Sequence, residues 1–462
     1  MKTTHMRHLS PSRRIPVLSA VVGGLLLGLV GVEVPSAFAA TASHSPPVGS
    51  IVVSNHSGTD RVVGCPTPAY TSVQAAVSAV AAGSTIYVCD GTYNESLTIN
   101  QQLTLDGAQF GQDARTRAGP ETIITGSSGI SYASGATTGK INGFTLQGYA
   151  GGVGEIVASD VGSAWTFANN IIDVSNGGIY VNTNGLTAPA KTTINQNQFV
   201  QSTPSAAGSG DFGQAVLLWA NTANNVTIAN NSFKDLSGPG AAINTTGDGQ
   251  CGATPNTADF ANDLRIRGNS FVDNGTPFTN GSGSGFIDEN FLALFCTTNA
   301  TVSGNTVTIT DAGDVNAASP IYLGGGDWST TVSKNILTGN GASNASGVVL
   351  NSDFYPSGTG GHITTNTVSG FGYGVHVRAG EFGAPGGNTP AYFTISSNSV
   401  TNSTSYGIAV NQGLYGTISQ NSVSGSGTFD CFDATGPGGP RTAGTYNTWS
   451  HDTCGTSSPA GL

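Results

Sequence analysis

The chain has 462 residues, of which 9% are charged and 67 are glycine, and its formal net charge at pH 7 is −11. Nucleic-acid binding draws its affinity from clustered Lys and Arg, so a chain with only 15 basic residues and no basic block is not expected to bind nucleic acid. Low charge with many glycines can indicate disorder, but apolar residues recur here too regularly for a disordered chain.

Residues 1–39 have the pattern of a secretory signal peptide. A basic stretch ending at Arg14 precedes an apolar run from Val17 to Val32, and residues 37–39 (AFA) form a small-residue cleavage site. The run is shorter than the roughly 20 residues of a membrane span, which disfavours a retained anchor. Removing the segment takes away four of 15 basic and one of 26 acidic residues, giving a net charge of about −14. We therefore expect a secreted, extracellular protein with no membrane association after signal removal.

Six cysteines in an exported chain favour disulfides over metal sites. The cysteines fall in pairs along the sequence, and we predict the bridges Cys65–Cys89, Cys251–Cys296 and Cys431–Cys454. The first and last bridges would hold the two ends of the molecule.

A short unit, apolar-x-x-Asn-x-apolar, recurs at intervals of 23 to 38 residues, with its asparagines at Asn142, Asn170, Asn197, Asn231, Asn269, Asn305, Asn335, Asn366, Asn398 and Asn421. Asn tolerates left-handed backbone angles and bonds its local backbone, which suits a sharp turn between strands. Stacked coils would place these amides about 4.8 Å apart in a hydrogen-bonded ladder. Each coil would bury its apolar face only against its neighbours.

A second unit with period-two alternation follows each Asn strand, as in GIYVN at 178–182 and GVHVR at 374–378. The density of Gly and β-branched residues disfavours an α-solenoid. The pattern predicts an all-β fold, a right-handed parallel β-helix solenoid with a short N-terminal capping helix. We expect a flexible N-terminus at 40–50, the β-helix at 51–430 and a disulfide-stapled C-terminal cap at 431–462.

The capping helix is predicted over Ser72–Ala82, where Val73, Val77 and Val80 share one face, and the strand TIYV and the segment GTYNESLTI follow it. A short amphipathic helix, a strand and Gly-Thr-Tyr-x-Glu together resemble the opening of pectinesterases, pectate lyases and related secreted bacterial β-helix proteins of the pectin-lyase-like superfamily. The resemblance implies the fold. It covers the N-terminal cap closely and the other coils only as architecture.

The catalytic motifs of these enzymes can be checked one by one. GQAVLLW at 213–219 is similar to a pectinesterase stretch, but the carboxylate motifs of pectinesterases and the acidic motifs of polygalacturonases are absent. Pectate lyases use an Arg or Lys near Ca²⁺-binding carboxylates, and the central coils contain Arg265, Arg267, Lys334 and Arg378 without a matching motif. No specific enzyme family is indicated.

One constellation of residues nevertheless suggests a site. The residue after the second strand forms a mostly polar column: Asn182, Asn244, Asp288, Gly324, Asn351, Arg378 and Asn411, with Leu218 the exception. Stacking in register would gather catalytic candidates (Asp288, Asp327, Asp353 and Arg378) and substrate-binding candidates (Tyr322, Trp328, His376 and Glu381). Carboxylates one or two coils apart would lie about 5 or 9–10 Å apart, near the separations of retaining and inverting glycosidases. Alternatively, the acids cap turns and are purely structural.

Two hypotheses follow for the function. The first is a glycoside hydrolase or polysaccharide lyase, in which Asp288 with Asp327 or Asp353 is the acid/base pair, or Arg378 is the lyase base. The second is a non-catalytic β-helix that binds polysaccharide or cell-wall glycan. We expect a monomer with no cofactor, although a carboxylate-rich groove could bind Ca²⁺.

Overall fold

The computed structural model describes residues 45–56, 65–127, 129–132, 136, 138–148, 157–159, 164–175, 177–181, 191–202, 214–219, 224–234, 236, 241–246, 261–273, 291–310, 319–325, 327, 329–352, 360–379 and 389–462. The chain divides into two units, Met1–Ala40 and Thr41–Leu462. All of the described residues lie in the second unit.

The unit Thr41–Leu462 is wound into coils with three strands each, and every strand pairs in parallel with its counterparts in the adjacent coils. Parallel crossover connections are right-handed, so the fold is a right-handed parallel β-helix, as the repeat predicted. Sheet 1 consists of Ile51–Val53, Ser84–Val88, Leu103–Asp106, Thr138–Asn142, Ala164–Ala168, Thr192–Asn195, Val226–Ala229, Arg265–Arg267, Thr301–Ser303, Thr331–Ser333, His362–Thr364, Thr394–Ser396, Thr417–Ser419 and Thr448–Ser450.

Sheet 2 follows sheet 1 within each coil and consists of Gly91–Tyr93, Thr122–Ile124, Phe144–Leu146, Ile171–Asp173, Gln198–Val200, Ser232–Lys234, Ser270–Asp273, Thr306–Ile309, Ile336–Thr338, Thr367–Ser369, Ser399–Thr401, Ser422–Ser424 and Thr453–Cys454. Sheet 3 completes the coil with Leu97–Ile99, Ile130–Tyr132, Val157–Ser159, Ile179–Val181, Val216–Trp219, Ile243–Thr246, Leu292–Leu294, Ile321–Leu323, Ser346–Ser352, Tyr373–Ala379, Tyr406–Val410, Phe429–Asp433 and Ser457–Ser458. A small pair, Ala261–Asn262 and Thr297–Thr298, lies between sheets 3 and 1, and a 3₁₀ turn spans Thr442–Gly444.

Inward-facing side chains form one continuous core along the coils. Equivalent positions hold the same type of residue in consecutive coils, so like side chains stack directly; the rings of Phe199 and Phe233 are parallel at 4.8 Å between centroids. No coil could bury this face alone, so stability comes from the contact between neighbouring coils.

The N-terminal helix spans Val73–Ala79, shorter than the predicted Ser72–Ala82, because Ser72 is its N-cap and Val80 its C-cap. Glu95 satisfies the free N–H groups of the first turn: its carboxylate accepts bonds from the backbone N–H of Val73 at 3.0 Å and of Gln74 at 2.8 Å, and from the Ser72 hydroxyl. The Glu of the Gly-Thr-Tyr-x-Glu motif is therefore a helix-capping residue in this chain.

The predicted asparagine ladder is present at the turn between sheets 1 and 2. Each ladder Asn donates from its backbone N–H and its Nδ2 to the Oδ1 of the Asn one coil later, and Nδ2 also donates to a backbone carbonyl of the preceding coil. For Asn231 these bonds reach Asn269 at 2.9 and 3.0 Å and the carbonyl of Ile194 at 3.0 Å. Every polar atom of the buried amide is thereby satisfied.

The structure corrects the ladder in two respects. Asn142 is not a member, because the residue in register with Asn170 is Phe144, whose N–H donates to Asn170 Oδ1. Asp452 instead receives the two bonds of Asn421 and extends the ladder by one coil. The left-handed residue is also not the ladder Asn but the one before it, as at Asn230 (φ 55°) and Lys334 (φ 57°).

The disulfides Cys65–Cys89 and Cys431–Cys454 are formed as predicted. Cys296 is also disulfide-bonded, whereas its predicted partner Cys251 lies outside the described residues.

Within the described part of the chain, no helix has the length and apolarity needed to cross a membrane.

Candidate functional site

The connections between the sheets differ sharply in length. From the coil of Ala164–Ala168 onward, two residues always join sheet 1 to sheet 2. The connections on either side of sheet 3 vary instead: Asp273 to Leu292 on one edge and Ala379 to Thr394 on the other are long, whereas Ser424 to Phe429 is short. Insertions in a solenoid mark the binding face in many repeat proteins, which directs attention to the outer face of sheet 3.

Half of the predicted site residues are described. Tyr322, Asp327, His376 and Arg378 have definite positions, and Asp288, Trp328, Asp353 and Glu381 lie outside the described residues.

The predicted polar column is only partly aligned. Asn351 pairs with Arg378 in neighbouring strands of sheet 3. Asn244, however, is in register with Ala293 and through it with Tyr322, two positions before the column. Leu218 is an inward-facing core residue, so it is not an interruption of the column.

The register also changes the expectation for Asp288. Leu294 pairs with Leu323, so the next residue, Phe295, is in register with Gly324 of the column. Phe295 thus occupies the place that was expected for Asp288, and Asp288 itself lies outside the described residues.

Tyr322 is fully buried, contrary to its expected role as an exposed stacking surface. It packs with Ala293, Val349 and Phe295 on the outer side of sheet 3, and its hydroxyl accepts a 2.6 Å hydrogen bond from Asn351 Nδ2. The buried Tyr322 ring thus packs the outer side of sheet 3, and its hydroxyl fixes the orientation of the Asn351 side chain.

Asp327 is also buried, with 1% of its surface exposed. The hydroxyl of Thr297 donates to Oδ1, while Oδ2 has no hydrogen-bond partner among the described residues. Burial raises the pKa of the Asp327 carboxyl well above its usual range, and the bonds from Thr297 oppose this only in part. A carboxyl closed off from solvent is positioned for a structural role rather than for contact with a polymer.

His376 lies on the outer face of sheet 3 with 6% of its surface exposed. Its ring stacks on Tyr373 with 4.1 Å between centroids, and its Nδ1 is 3.4 Å from the Ser346 hydroxyl. Burial, followed by the positive charge of Arg378, lowers the pKa of His376 to about 3. The imidazole is therefore neutral across the physiological pH range.

The His376–Tyr373 pair begins a strip of aromatic rings that runs toward the C-terminal end of sheet 3. Tyr373 stacks on Tyr406 at 5.3 Å, and Tyr406 is 4.9 Å from Phe432, which is parallel to Phe429. Tyr373, Tyr406, Phe429 and Phe432 are all partly exposed. We call these five residues the sheet 3 strip.

Sequence reasoning found His376 but missed the other members of the sheet 3 strip. The available signal was the register: Tyr373, Tyr406 and Phe429 occupy the same position in three consecutive coils. Tyr373 and Tyr406 each directly precede the glycine at the start of the period-two repeat. The sequence-based prediction considered only the residue after this strand and therefore did not include them.

The acids near the strip have structural partners. Asp433 accepts bonds from Trp449 Nε1 at 2.8 Å and from Asn447 Nδ2, and Asp430 accepts bonds from the backbone of Ser426 and Thr456. In the ranges that the structure describes, no group of three or more metal-binding side chains is present. A Ca²⁺ site remains a prediction.

No protein-family model and no curated protein matches the chain. Among solved structures, it is similar to the catalytic unit of a thermostable GH87 α-1,3-glucanase from Streptomyces thermodiastaticus strain HF3-3, with 15% identity and a TM-score of 0.48 over 90% of this chain and 71% of that one.

Two further similarities are to PfbA, a surface adhesin of Streptococcus pneumoniae (13% identity, TM-score 0.40, 82% of this chain and 87% of that one), and to the A-module of the mannuronan C-5 epimerase AlgE4 of Azotobacter vinelandii (14%, 0.37, 82% and 90%). The parallel β-helix fold of this chain is defined by its own sheet topology. Similarities at this level concern the fold alone, and the function has to be argued from the site.

Proposed function

We propose that this protein is a secreted glycan-binding protein whose binding surface is the outer face of sheet 3. The observation that carries the proposal is the sheet 3 strip: a run of partly exposed aromatic rings along the face whose flanking connections vary in length. Aromatic rings present flat apolar surface at low entropic cost, and the tyrosine hydroxyls remain hydrated beside them.

The chemistry of the strip suits a pyranose chain. A sugar ring has an apolar C–H face, which can stack on a side-chain ring, and a rim of hydroxyls, which needs hydrogen-bonding partners. Arg378 lies two residues after His376 on the same strand, is partly exposed and can supply such a partner. A net charge of −11 makes polyanionic nucleic acid an unsuitable ligand.

The partners of the described acids favour binding over catalysis. Asp327 is enclosed, and Asp430 and Asp433 are committed to hydrogen bonds within the last coils. Of the acids expected to be catalytic, Asp288 and Asp353 lie outside the described residues, and Arg378, the candidate lyase base, is partly exposed.

The proposal is tested by affinity electrophoresis of the protein against starch, xylan, pectin, β-1,3-glucan and alginate, and by sedimentation with chitin and cellulose. Tyr406→Ala and Phe432→Ala each remove one ring of the strip and should weaken binding about three- to tenfold, the usual value of an aromatic contact. Ile336→Ala is the matched control, because Ile336 is an exposed apolar residue (51%) on the outer face of sheet 2.

Two results would contradict the proposal: undiminished binding by both folded ring variants, or no binding of the wild-type protein to any polysaccharide of the panel. Reducing ends and the absorbance of unsaturated uronates are measured in the same samples. Product formation by the wild-type protein would show that the face is a catalytic cleft. Asp288, Asp353 and Glu381 would then be the first candidates for catalytic and substrate-binding residues.

A further inference from the structure

A second group of aromatic residues lies at a different corner of the β-helix, just before sheet 1. Register places one residue of each coil in a column at this corner: Asn225, Asp263, Asn299, Ser329, Gly360, Tyr392, Tyr415 and Tyr446. The column changes from small polar residues to tyrosine in its last three coils. We call Tyr392, Tyr415 and Tyr446 the tyrosine column.

The backbone at this corner does not favour tyrosine. Asn225, Asp263, Asn299 and Ser329 all have φ near +56°, and Gly360 has φ of +83°. Asn, Asp and Gly tolerate the left-handed region, whereas bulky side chains rarely adopt it. Tyr392 and Tyr415 nevertheless have φ of 56° and 58°. Conformations of this kind cost roughly 1–3 kcal/mol and concentrate at functional sites.

The tyrosines gain little burial in return for this strain. Tyr392 is 60% exposed, Tyr415 is 42% exposed and Tyr446 is 40% exposed. They are three of the five large hydrophobic residues that are exposed in the described part of the chain. Packing into the core therefore does not explain why tyrosine replaces asparagine or serine at this corner.

The rings form an organised surface. Tyr392 and Tyr415 stack at 5.3 Å with an angle of 21° between their planes, and the Arg441 guanidinium lies 5.6 Å from the Tyr415 centroid. Arg441 is held in place by a 2.8 Å bond to the Thr448 hydroxyl. On the other side of Tyr392, the preceding coil has Gly360, where an added Cβ would meet only Ser329 within 4 Å. Position 360 thus places no side chain against the Tyr392 ring.

We propose that the tyrosine column is a second carbohydrate-binding site, separate from the sheet 3 strip, in which a pyranose ring of a glycan stacks on the open face of Tyr392, while Arg441 packs against Tyr415 from the following coil. Among the described residues, the large apolar side chains exposed at this corner are all tyrosines. A protein-docking patch would need an apolar centre that excludes water, whereas tyrosine hydroxyls keep this surface wet, as a sugar ligand requires. This inference has its own observation and does not depend on the sheet 3 strip.

The test replaces each strained tyrosine by the residue that earlier coils use at the same place. In the double variant Tyr392→Asn/Tyr415→Asn, the left-handed backbone is retained with a residue that tolerates it, so the melting temperature should stay equal or rise. Binding to the best polysaccharide of the panel should fall about five- to tenfold. Ser329→Asn, in the same column but without a ring, is the matched control and should change neither quantity.

Undiminished binding in the double variant overturns the inference. A clearly lower melting temperature does so too, because it would show that the tyrosines serve the fold. The two sites are distinguished by their own variants: loss of binding in Tyr406→Ala alone leaves only the sheet 3 strip, and loss in the double Asn variant alone leaves only the tyrosine column. Absence of binding by the wild-type protein to every polysaccharide tested removes both.

Discussion

The turn between sheets 1 and 2 and the turn between sheets 3 and 1 belong to the same coils but are built in opposite ways. From the coil of Ala164–Ala168 to that of Thr417–Ser419, the first consists of two residues, a left-handed residue followed by a buried ladder Asn. The second also has a left-handed position, but its length varies and its residues change from Asn, Asp and Ser to exposed tyrosine.

The difference shows how a repeat fold separates stability from function. At the ladder turn, hydrogen bonds between buried amides link each coil to the next, so no member can change alone. At the other turn the side chains point to solvent and each coil can differ from its neighbours. Both proposed binding surfaces lie away from the ladder turn, where side chains can differ from coil to coil.

The largest effect is expected at the ladder itself. Asn231→Ala removes the two bonds that Nδ2 donates and the two that Oδ1 accepts, and leaves the backbone N–H of Asn197 without its partner in the interior. We expect a loss of about 3–5 kcal/mol in the free energy of unfolding. The neighbouring residue provides the control: Asn230→Gly, at an exposed left-handed position, should cost less than about 1 kcal/mol. Equal effects in urea unfolding would contradict the special status of the ladder turn.

A smaller effect is expected on the outer face of sheet 3, where His376 is neutral. Its pKa is about 3 in the folded protein and about 6.5 in the unfolded chain. Between these values the unfolded state binds a proton that the folded state does not, so stability falls as the pH is lowered. The expected contribution is about 2–3 kcal/mol between pH 6.5 and 4.5.

Urea unfolding at several pH values, compared between the wild type and His376→Gln, isolates this contribution. The variant should lose less stability than the wild type on acidification, and His362→Gln, at an exposed position of sheet 1, is the matched control. Identical pH profiles for wild type and His376→Gln would show that the imidazole is accessible to protons in the folded protein.

The smallest effect is expected for a change of length at the variable turn. One glycine inserted after Gly436, where an added Cβ would meet no atom within 4 Å, should change the free energy of unfolding by less than about 1 kcal/mol. The same insertion between Gln420 and Asn421 would shift the register of the following strand and exchange its inward and outward faces. Comparable thermal stability of the two insertion variants would remove the distinction between the turns.

The sequence was sufficient for the fold because the repeat is local and strong. The recurring Asn between inward-facing residues predicted the solenoid and the ladder, and cysteine positions predicted the two disulfides that are described. The error at Asn142 has a simple cause: a motif match cannot distinguish an Asn at the ladder position from one two residues earlier.

The site was harder to predict, because it depends on register between coils of unequal length. Asp288 and Asn244 were assigned to a column by counting from the apolar pattern, and a shift of one or more residues moves a side chain to another column or to the opposite face. Burial was also invisible in the sequence: Tyr322 points outward from its strand and Asp327 lies in a glycine-rich polar segment, yet both are enclosed. The tyrosine column is recognisable only once the coils are aligned and the backbone angles are known.

The exchange of identical bonds along the ladder has a further consequence. Each interior ladder Asn donates two hydrogen bonds to the Asn of the next coil and accepts two equivalent bonds from the Asn of the preceding coil. The geometry of the ladder is therefore the same whatever the number of coils. Homologous proteins could therefore gain or lose whole coils by duplication or deletion of the segment between two ladder asparagines. Such a change would lengthen or shorten the β-helix without altering the residues of the remaining coils.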